Sequence, residues 1–160
     1  MTDAEKRIAV FPGSFDPFTR GHESIVNRAL SLFDEIIIAI GANALKDGYF
    51  TLENREKMIN DVFKGIEMVK VTHYNGLTVD FCRKNRASFL LRGVRTAADF
   101  EYERAIAQLN KAMAPEIESV MLLTTPDLTP VNSTIVRDII RNGGDASQFL
   151  PSSIDITKYR

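Results

Sequence analysis

Residues 8–22, Ile8-Ala9-Val10-Phe11-Pro12-Gly13-Ser14-Phe15-Asp16-Pro17-Phe18-Thr19-Arg20-Gly21-His22, pass from an apolar run through a glycine-containing turn into an amphipathic segment. That order predicts strand, loop, helix. A helix N-terminus offers free N–H groups and the positive end of the helix dipole, so in an α/β protein such a junction is where phosphates dock. The loop also carries a hydroxyl at Ser14 and an imidazole at His22, eight residues apart. This spacing lets the loop lie over a nucleotide while the first helical turn presents the imidazole from below.

The alternation continues along the chain. A first strand is expected at about 7–11 and a first helix at about 21–33, with Ile25, Ala29 and Leu32 on one face. The second strand, Glu35 to Gly41, is continuously apolar, as befits a parallel strand buried on both faces. Helices follow at about 52–63, with Thr51 as N-cap, and at about 77–85, with a third strand between them at about 68–73. A fourth strand at 88–92 ends in Arg92-Gly93-Val94-Arg95. A long helix at about 98–113 carries an apolar stripe of Tyr102, Ile106, Leu109 and Met113. The fifth strand lies at about 119–124, and a last helix at about 133–142 is stopped by Gly143-Gly144. The tail, with Phe149-Leu150-Pro151, is expected to pack back onto the body. Five such alternations imply an α/β, doubly wound, five-stranded parallel sheet with right-handed crossovers, in one domain over residues 1–160.

Composition narrows the class. The chain is 44% hydrophobic and 26% charged, enough to build a core and ordinary for a soluble protein. A net charge of −1 offers no general footing for nucleic acid or a membrane surface, so any phosphate-binding charge is local. No leader is visible and the longest apolar run, Ile36-Ile37-Ile38-Ala39-Ile40, is too short to span a bilayer; the expected location is cytoplasmic. One cysteine and two histidines without ligand spacing argue against a dedicated metal site.

Ligands of such sheets bind beyond the carboxyl ends of the strands, and the chemically informative residues fall there. His22 can donate to a phosphate oxygen and stabilise charge developing in a phosphoryl-type transition state; the plainer role is capping its own helix. Ser14 offers a hydroxyl and an N–H, whereas Asp16 suits holding the loop by accepting backbone N–H bonds. Lys46 is a mobile point charge in a polar loop after the second strand. Arg92 and Arg95 flank Gly93 at a strand end and suit bidentate phosphate binding, or ion pairing with Asp99, Glu101 or Glu103. Asn132-Ser133-Thr134 opens the last helix, either as an N-cap or as a second helix N-terminus aimed at a triphosphate, with Arg137 one turn in. Cys82 reads as a core residue, and His73 is assigned no role.

The loop and Thr19-Arg20-Gly21-His22 resemble the H/T-x-G-H signature of the nucleotidyltransferase superfamily. Together with Phe50-Thr51-Leu52-Glu53-Asn54-Arg55, Leu91-Arg92-Gly93-Val94-Arg95, Ala98-Asp99-Phe100-Glu101-Tyr102-Glu103 and Phe149-Leu150-Pro151, the chain is similar to the bacterial phosphopantetheine adenylyltransferases over nearly its whole length. The resemblance implies a Rossmann-like fold and transfer of AMP from ATP to 4′-phosphopantetheine, giving dephospho-coenzyme A and pyrophosphate. It also implies Mg²⁺ carried by the ATP phosphates, a homo-oligomer (a hexamer), and coenzyme A as a candidate feedback ligand. By that resemblance His22, Lys46 and Arg95 are catalytic, and Ser14, Lys46, Thr78 and Arg92 bind the acceptor. Ser14, Phe15, His22, Gly93, Val94, Arg95, Glu103, Asn132, Ser133 and Thr134 bind ATP. The chain departs from the pattern at Asn132, where serine is usual, and at Thr78, where methionine is frequent. Rival readings are a nucleotidyltransferase acting on nicotinamide mononucleotide or glycerol phosphate, and a non-catalytic nucleotide sensor. A dinucleotide-binding redox domain is disfavoured by Pro12-Gly13-Ser14-Phe15, which stands where Gly-x-Gly-x-x-Gly is required.

Overall fold

The computed structural model describes residues 4–42 and 48–159. Its centre is one five-stranded sheet, all parallel, in the order β3-β2-β1-β4-β5. The strands are β1 (Ile8–Gly13), β2 (Glu35–Gly41), β3 (Val69–Tyr74), β4 (Phe89–Val94) and β5 (Glu118–Leu123), and the helices are α1 (Arg20–Ala29), α2 (Leu52–Val62), α3 (Thr78–Lys84), α4 (Ala97–Met113) and α5 (Ser133–Arg141). The expected α/β class and five parallel strands are therefore present, each strand within two residues of its expected start and end.

Successive side chains of a strand face opposite layers, and the two layers are distinct. Ile36, Ile38 and Ile40 pack with Ile25, Val26 and Ala29 of α1 and Ile59 of α2. Ile37 and Ala39 pack on the other face with Val79 and Cys82 of α3. A third cluster joins Phe50 and Met58 to Val136 and Ile140 of α5 and to Leu150 and Tyr159, so the tail does pack back.

One apolar expectation fails, and one apolar stripe faces outward. The α1 helix closes at Ala29 with Leu30 as C-cap, which leaves Leu32 outside it and 41% exposed. The stripe on α4 is not core: Tyr102, Ile106, Leu109 and Met113 are all exposed, and the one buried residue of the helix is Glu103. Periodicity reports that one side of a helix is apolar. It does not report whether that side meets the sheet, a cleft or solvent.

The order of the strands sets the site. From β1 the chain winds outward through β2 to β3, then returns to β4 on the other side of β1. The reversal point of a doubly wound sheet is where a crevice opens. Its register shows this directly: β1 pairs with β2 along all of its length, but with β4 only at Ala9–Phe89 and Val10–Leu90. Beyond those pairs the carboxyl ends of β1 and β4 diverge.

Candidate active site

The divergence opens a cleft of about 490 Å³. Its floor is Pro12-Gly13-Ser14-Phe15 from the end of β1 and Arg92-Gly93 from β4. Its walls come from the first turn of α1 (His22), from Arg95 and Glu103, and from the α5 entry, Asn132, Ser133 and Thr134. A second cavity of about 210 Å³ shares Pro12, Gly13, Arg92 and Glu103 and extends past Tyr74 and Thr78 to Ile106 and Asn110 of α4.

The α1 entry is built by its caps. Thr19 is the N-cap, and its side chain accepts the His22 N–H. The His22 side chain answers, its Nδ1 accepting the Thr19 N–H at 3.0 Å. An Nδ1 that accepts leaves the proton on Nε2. The imidazole is further held by the edges and faces of Phe15, Phe18 and Phe11, with centroids 5.0, 5.3 and 6.2 Å away. Burial, reinforced by the nearby Arg92 and Arg95 guanidinium charges, lowers its pKa to about 4. The ring is thus neutral at pH 7, with Nε2–H as its donor. Phe15 adopts φ +46°, the left-handed region, and its ring covers Gly13, where a Cβ would lie 2.9 Å from the ring carbon Cζ.

Both arginines at the β4 end carry partners. Arg92 grips Glu103 through Nε (2.8 Å) and Nη2 (2.6 Å), and its Nη1 donates to the Pro12 carbonyl across the divergence. Arg95 holds Asp99 at 3.0 Å. Burial works against the Asp99 charge, but hydrogen bonds from the Arg95 side chain and N–H outweigh it and hold the carboxyl below its usual range. Both arginines therefore form ion pairs of the expected kind, and both also line the cleft.

At the last helix Asn132 is the N-cap, accepting from the Ile135 N–H at 2.9 Å. Ser133 spends its hydroxyl proton on the Pro17 carbonyl (2.8 Å), and Arg137 donates to the Asp16 carbonyl (2.7 Å) and to Thr134. This helix entry is therefore tied to the first loop as well as facing the cleft.

Of the residues singled out from sequence, Ser14, Phe15, His22, Arg92, Gly93, Arg95, Glu103, Asn132, Ser133 and Thr134 line the larger cleft. Thr78 lines the smaller one, its hydroxyl 2.8 Å from Tyr74 Oη. The Val94 side chain is buried and lines neither cavity, and its carbonyl accepts the Thr124 N–H. Lys46 lies outside the described residues. Sequence reasoning passed over Tyr74, Ile106 and Asn110 on the smaller cavity. The available signal is the i, i+4 run Tyr102, Ile106, Asn110, which places these three side chains on one side of α4. Asp16 has the structural part expected of it, accepting the Tyr49 and Phe50 N–H groups at 2.7 and 2.9 Å. Burial pushes the Cys82 thiol up to about 12, which makes it an inert core group. His73 pairs with Glu56 at 3.2 Å, away from both cavities. Among the described residues no three His, Cys, Asp or Glu side chains come together to hold a metal ion.

Residues 10–139 match the cytidylyltransferase-like family model. A phosphopantetheine adenylyltransferase of Flavobacterium psychrophilum is 51% identical over 150 residues, covering 94% of this chain and 99% of that protein. The enzyme of the same description from Bacteroides thetaiotaomicron is 50% identical over the same shares of both chains. Among solved structures, a bifunctional NMN adenylyltransferase/ADP ribose pyrophosphatase from Francisella tularensis, complexed with AMP and a manganese ion, superposes with a TM-score of 0.68 at 20% identity. That match covers 97% of this chain but 46% of the bifunctional one, and it speaks for the Rossmann-like fold. With a Rossmann-like parallel sheet, a crevice at its reversal point and half of all aligned positions identical over nearly full-length relatives, the chain belongs to the phosphopantetheine adenylyltransferase family of cytidylyltransferase-like nucleotidyltransferases.

Proposed function

We propose that this chain transfers the adenylyl group of ATP to 4′-phosphopantetheine, forming dephospho-coenzyme A and pyrophosphate, a step of coenzyme A biosynthesis. The observation that carries this reading is a pair of cavities sharing the wall Pro12, Gly13, Arg92 and Glu103. The larger, with two helix N-termini at its rim, suits a nucleoside triphosphate. The smaller, lined by Tyr74, Thr78, Ile106 and Asn110, suits a slender, part-polar chain such as pantetheine.

The two phosphates would meet at the shared wall. There an oxygen of the acceptor phosphate attacks the α-phosphorus, a new P–O bond forms, and the bond to the β-phosphate breaks, its electron pair leaving with pyrophosphate. The acceptor is already anionic, so no general base is required; catalysis is alignment plus charge stabilisation. In this assignment the His22 Nε2–H donates to the oxygen on which charge builds, and Arg95 neutralises charge on the triphosphate. Arg92 and Lys46 hold the acceptor phosphate. Ser14, Phe15, Gly93, the Val94 main chain, Glu103, Asn132, Ser133 and Thr134 hold the nucleotide. Mg²⁺ would be held mainly by the ATP phosphates, where it would neutralise triphosphate charge.

Assembly as a homo-oligomer, a hexamer by family resemblance, is consistent with Leu109 and Met113 being 66% and 48% exposed. Coenzyme A, which extends the product by one phosphate, is a candidate feedback ligand of the same cleft. No helix of the described residues is long and apolar enough to cross a membrane; the cytoplasmic location is part of this proposal.

The experiment is pyrophosphate release from MgATP with 4′-phosphopantetheine, nicotinamide mononucleotide or glycerol 3-phosphate as acceptor. Release with the first alone, with dephospho-coenzyme A seen by mass, is the expected result. Release only with one of the others refutes the acceptor assignment, and silence with all three from protein that binds MgATP refutes the enzyme.

A further inference from the structure

The segment Phe50-Thr51-Leu52-Glu53-Asn54-Arg55 has no part in the chemistry above, yet its last residue reaches the catalytic loop. Arg55, in the first turns of α2, is 8% exposed. Its Nη1 donates to the Ser14 carbonyl at 2.8 Å and its Nε to the Phe50 carbonyl at 3.1 Å. It lines neither cavity. Beside it the Asp16 carboxylate, 7% exposed, accepts the N–H groups of Tyr49 and Phe50. The packing is tight enough that a Cβ on Gly48 would lie 3.0 Å from Asp16 Oδ2 and 3.2 Å from Arg55 Nη2.

We propose that Arg55 is a positioning residue for adenylyl transfer: its guanidinium holds the Ser14 carbonyl so that the Ser14–Phe15 peptide takes its left-handed turn and the Phe15 ring stays against His22. Three observations converge on that peptide. Its carbonyl is gripped from below by a buried cation; the next residue has φ +46°, a conformation that a phenylalanine adopts at a cost unless its surroundings enforce it; and the Phe15 ring stands edge-on to His22, centroids 5.0 Å apart and planes at 86°. A guanidinium can serve the Ser14 and Phe50 carbonyls at once because its donors form a rigid fork. A lysine head, a point charge on a flexible stem, cannot hold both in one geometry. Displacing a catalytic group by about 1 Å from a distance can cost about 10²-fold in rate.

The proposal rests on the assignment of His22 to the transferring phosphate, and its test is built to fail separately from that assignment. Full-length Arg55→Lys and Arg55→Ala proteins are compared with the wild type by three measurements: kcat and KM for MgATP with saturating 4′-phosphopantetheine, thermal melting, and ¹⁵N NMR titration of the imidazoles. The chain has two histidines, so His22 and His73 separate readily. The expected result is a kcat lowered about tenfold in Arg55→Lys and about 10²-fold in Arg55→Ala, with a smaller change in KM. The His22 titration midpoint should move upward by about one pH unit or more, because water enters where the Phe15 ring withdraws. A lower melting temperature with kcat and the His22 titration both unchanged would make Arg55 merely structural and overturn the proposal. A changed kcat with an unmoved His22 titration overturns it equally. If the wild type makes no dephospho-coenzyme A, the functional assignment falls, and the His22 titration, which needs no acceptor, decides the role of Arg55 alone. Should Arg55→Ala not fold, Arg55→Lys, which keeps the charge and most of the stem, decides.

Discussion

Replacing His22 by Asn separates two jobs that the imidazole does at once. Nδ1 accepts the Thr19 N–H at 3.0 Å and so closes the α1 capping box. The Oδ1 of an asparagine stands the same number of bonds from Cβ and can take over that acceptance, but nothing in asparagine reaches the place of Nε2. His22→Asn therefore keeps the cap and deletes the transition-state donor. Loss of one preorganised donor to developing charge costs about 10²–10³ in kcat, or about 3–4 kcal/mol. Stability at pH 7 should stay within about 0.5 kcal/mol of wild type, whereas His22→Ala, which also orphans the Thr19 N–H, should lose about 1 kcal/mol more. Pyrophosphate release at saturating substrates gives kcat, calorimetry with MgATP alone gives Kd, and urea unfolding gives stability. An Asn variant that keeps kcat within about threefold of wild type refutes the donor role. So does one whose MgATP affinity falls in proportion to kcat, because an interaction made only in the transition state leaves ground-state binding nearly untouched.

The lowered His22 pKa has a consequence for acid stability. The unfolded imidazole takes up its proton near pH 6.5 and the folded one near 4, so unfolding binds the extra proton between those values. Stability is then present in full above pH 6.5 and lost as pH falls toward 4, by about 3 kcal/mol at most. Urea unfolding from pH 7 to 4.5 should show a shallower loss in His22→Asn than in wild type, and parallel curves would refute the lowered titration of the folded imidazole. Arg92→Met should raise KM for the acceptor and cost about 2–3 kcal/mol, because it strands the buried Glu103 carboxylate. Adding Glu103→Gln should return most of that stability in a melting experiment but none of the acceptor affinity; a double variant that remains as unstable as the single one would refute the pairing. Gly48→Ala places a Cβ 2.9 Å from the Phe50 carbonyl oxygen and 3.0 Å from Asp16 Oδ2, and should cost about 1–3 kcal/mol by overpacking. An unchanged denaturation midpoint would show that the Asp16–Arg55 network yields freely.

Much of this protein is determined by local sequence. The continuous apolar run of β2 can satisfy its burial only between two helical layers, which dictates a parallel sheet. Thr19, Thr51 and Asn132 start helices through hydrogen bonds within a few residues of themselves, and such short-range signals survive without knowledge of the fold. The concentration of Ser14, His22, Arg92 and Ser133 at strand ends follows from the alternation of elements, since every strand of a parallel sheet presents its carboxyl end to the same edge. Strand order is a different matter. That β1 lies beside β4, and that their pairing ends after Val10–Leu90 to open the cleft, depends on packing between segments eighty residues apart. The same holds for the α4 stripe, whose apolar side meets a cavity and solvent instead of the sheet, and for Arg55, whose surface-type side chain is buried because the Ser14 and Phe50 carbonyls face it. Hydropathy and periodicity describe what a residue would prefer. Which partner satisfies the preference is decided only when distant strands, loops and helices are brought into contact.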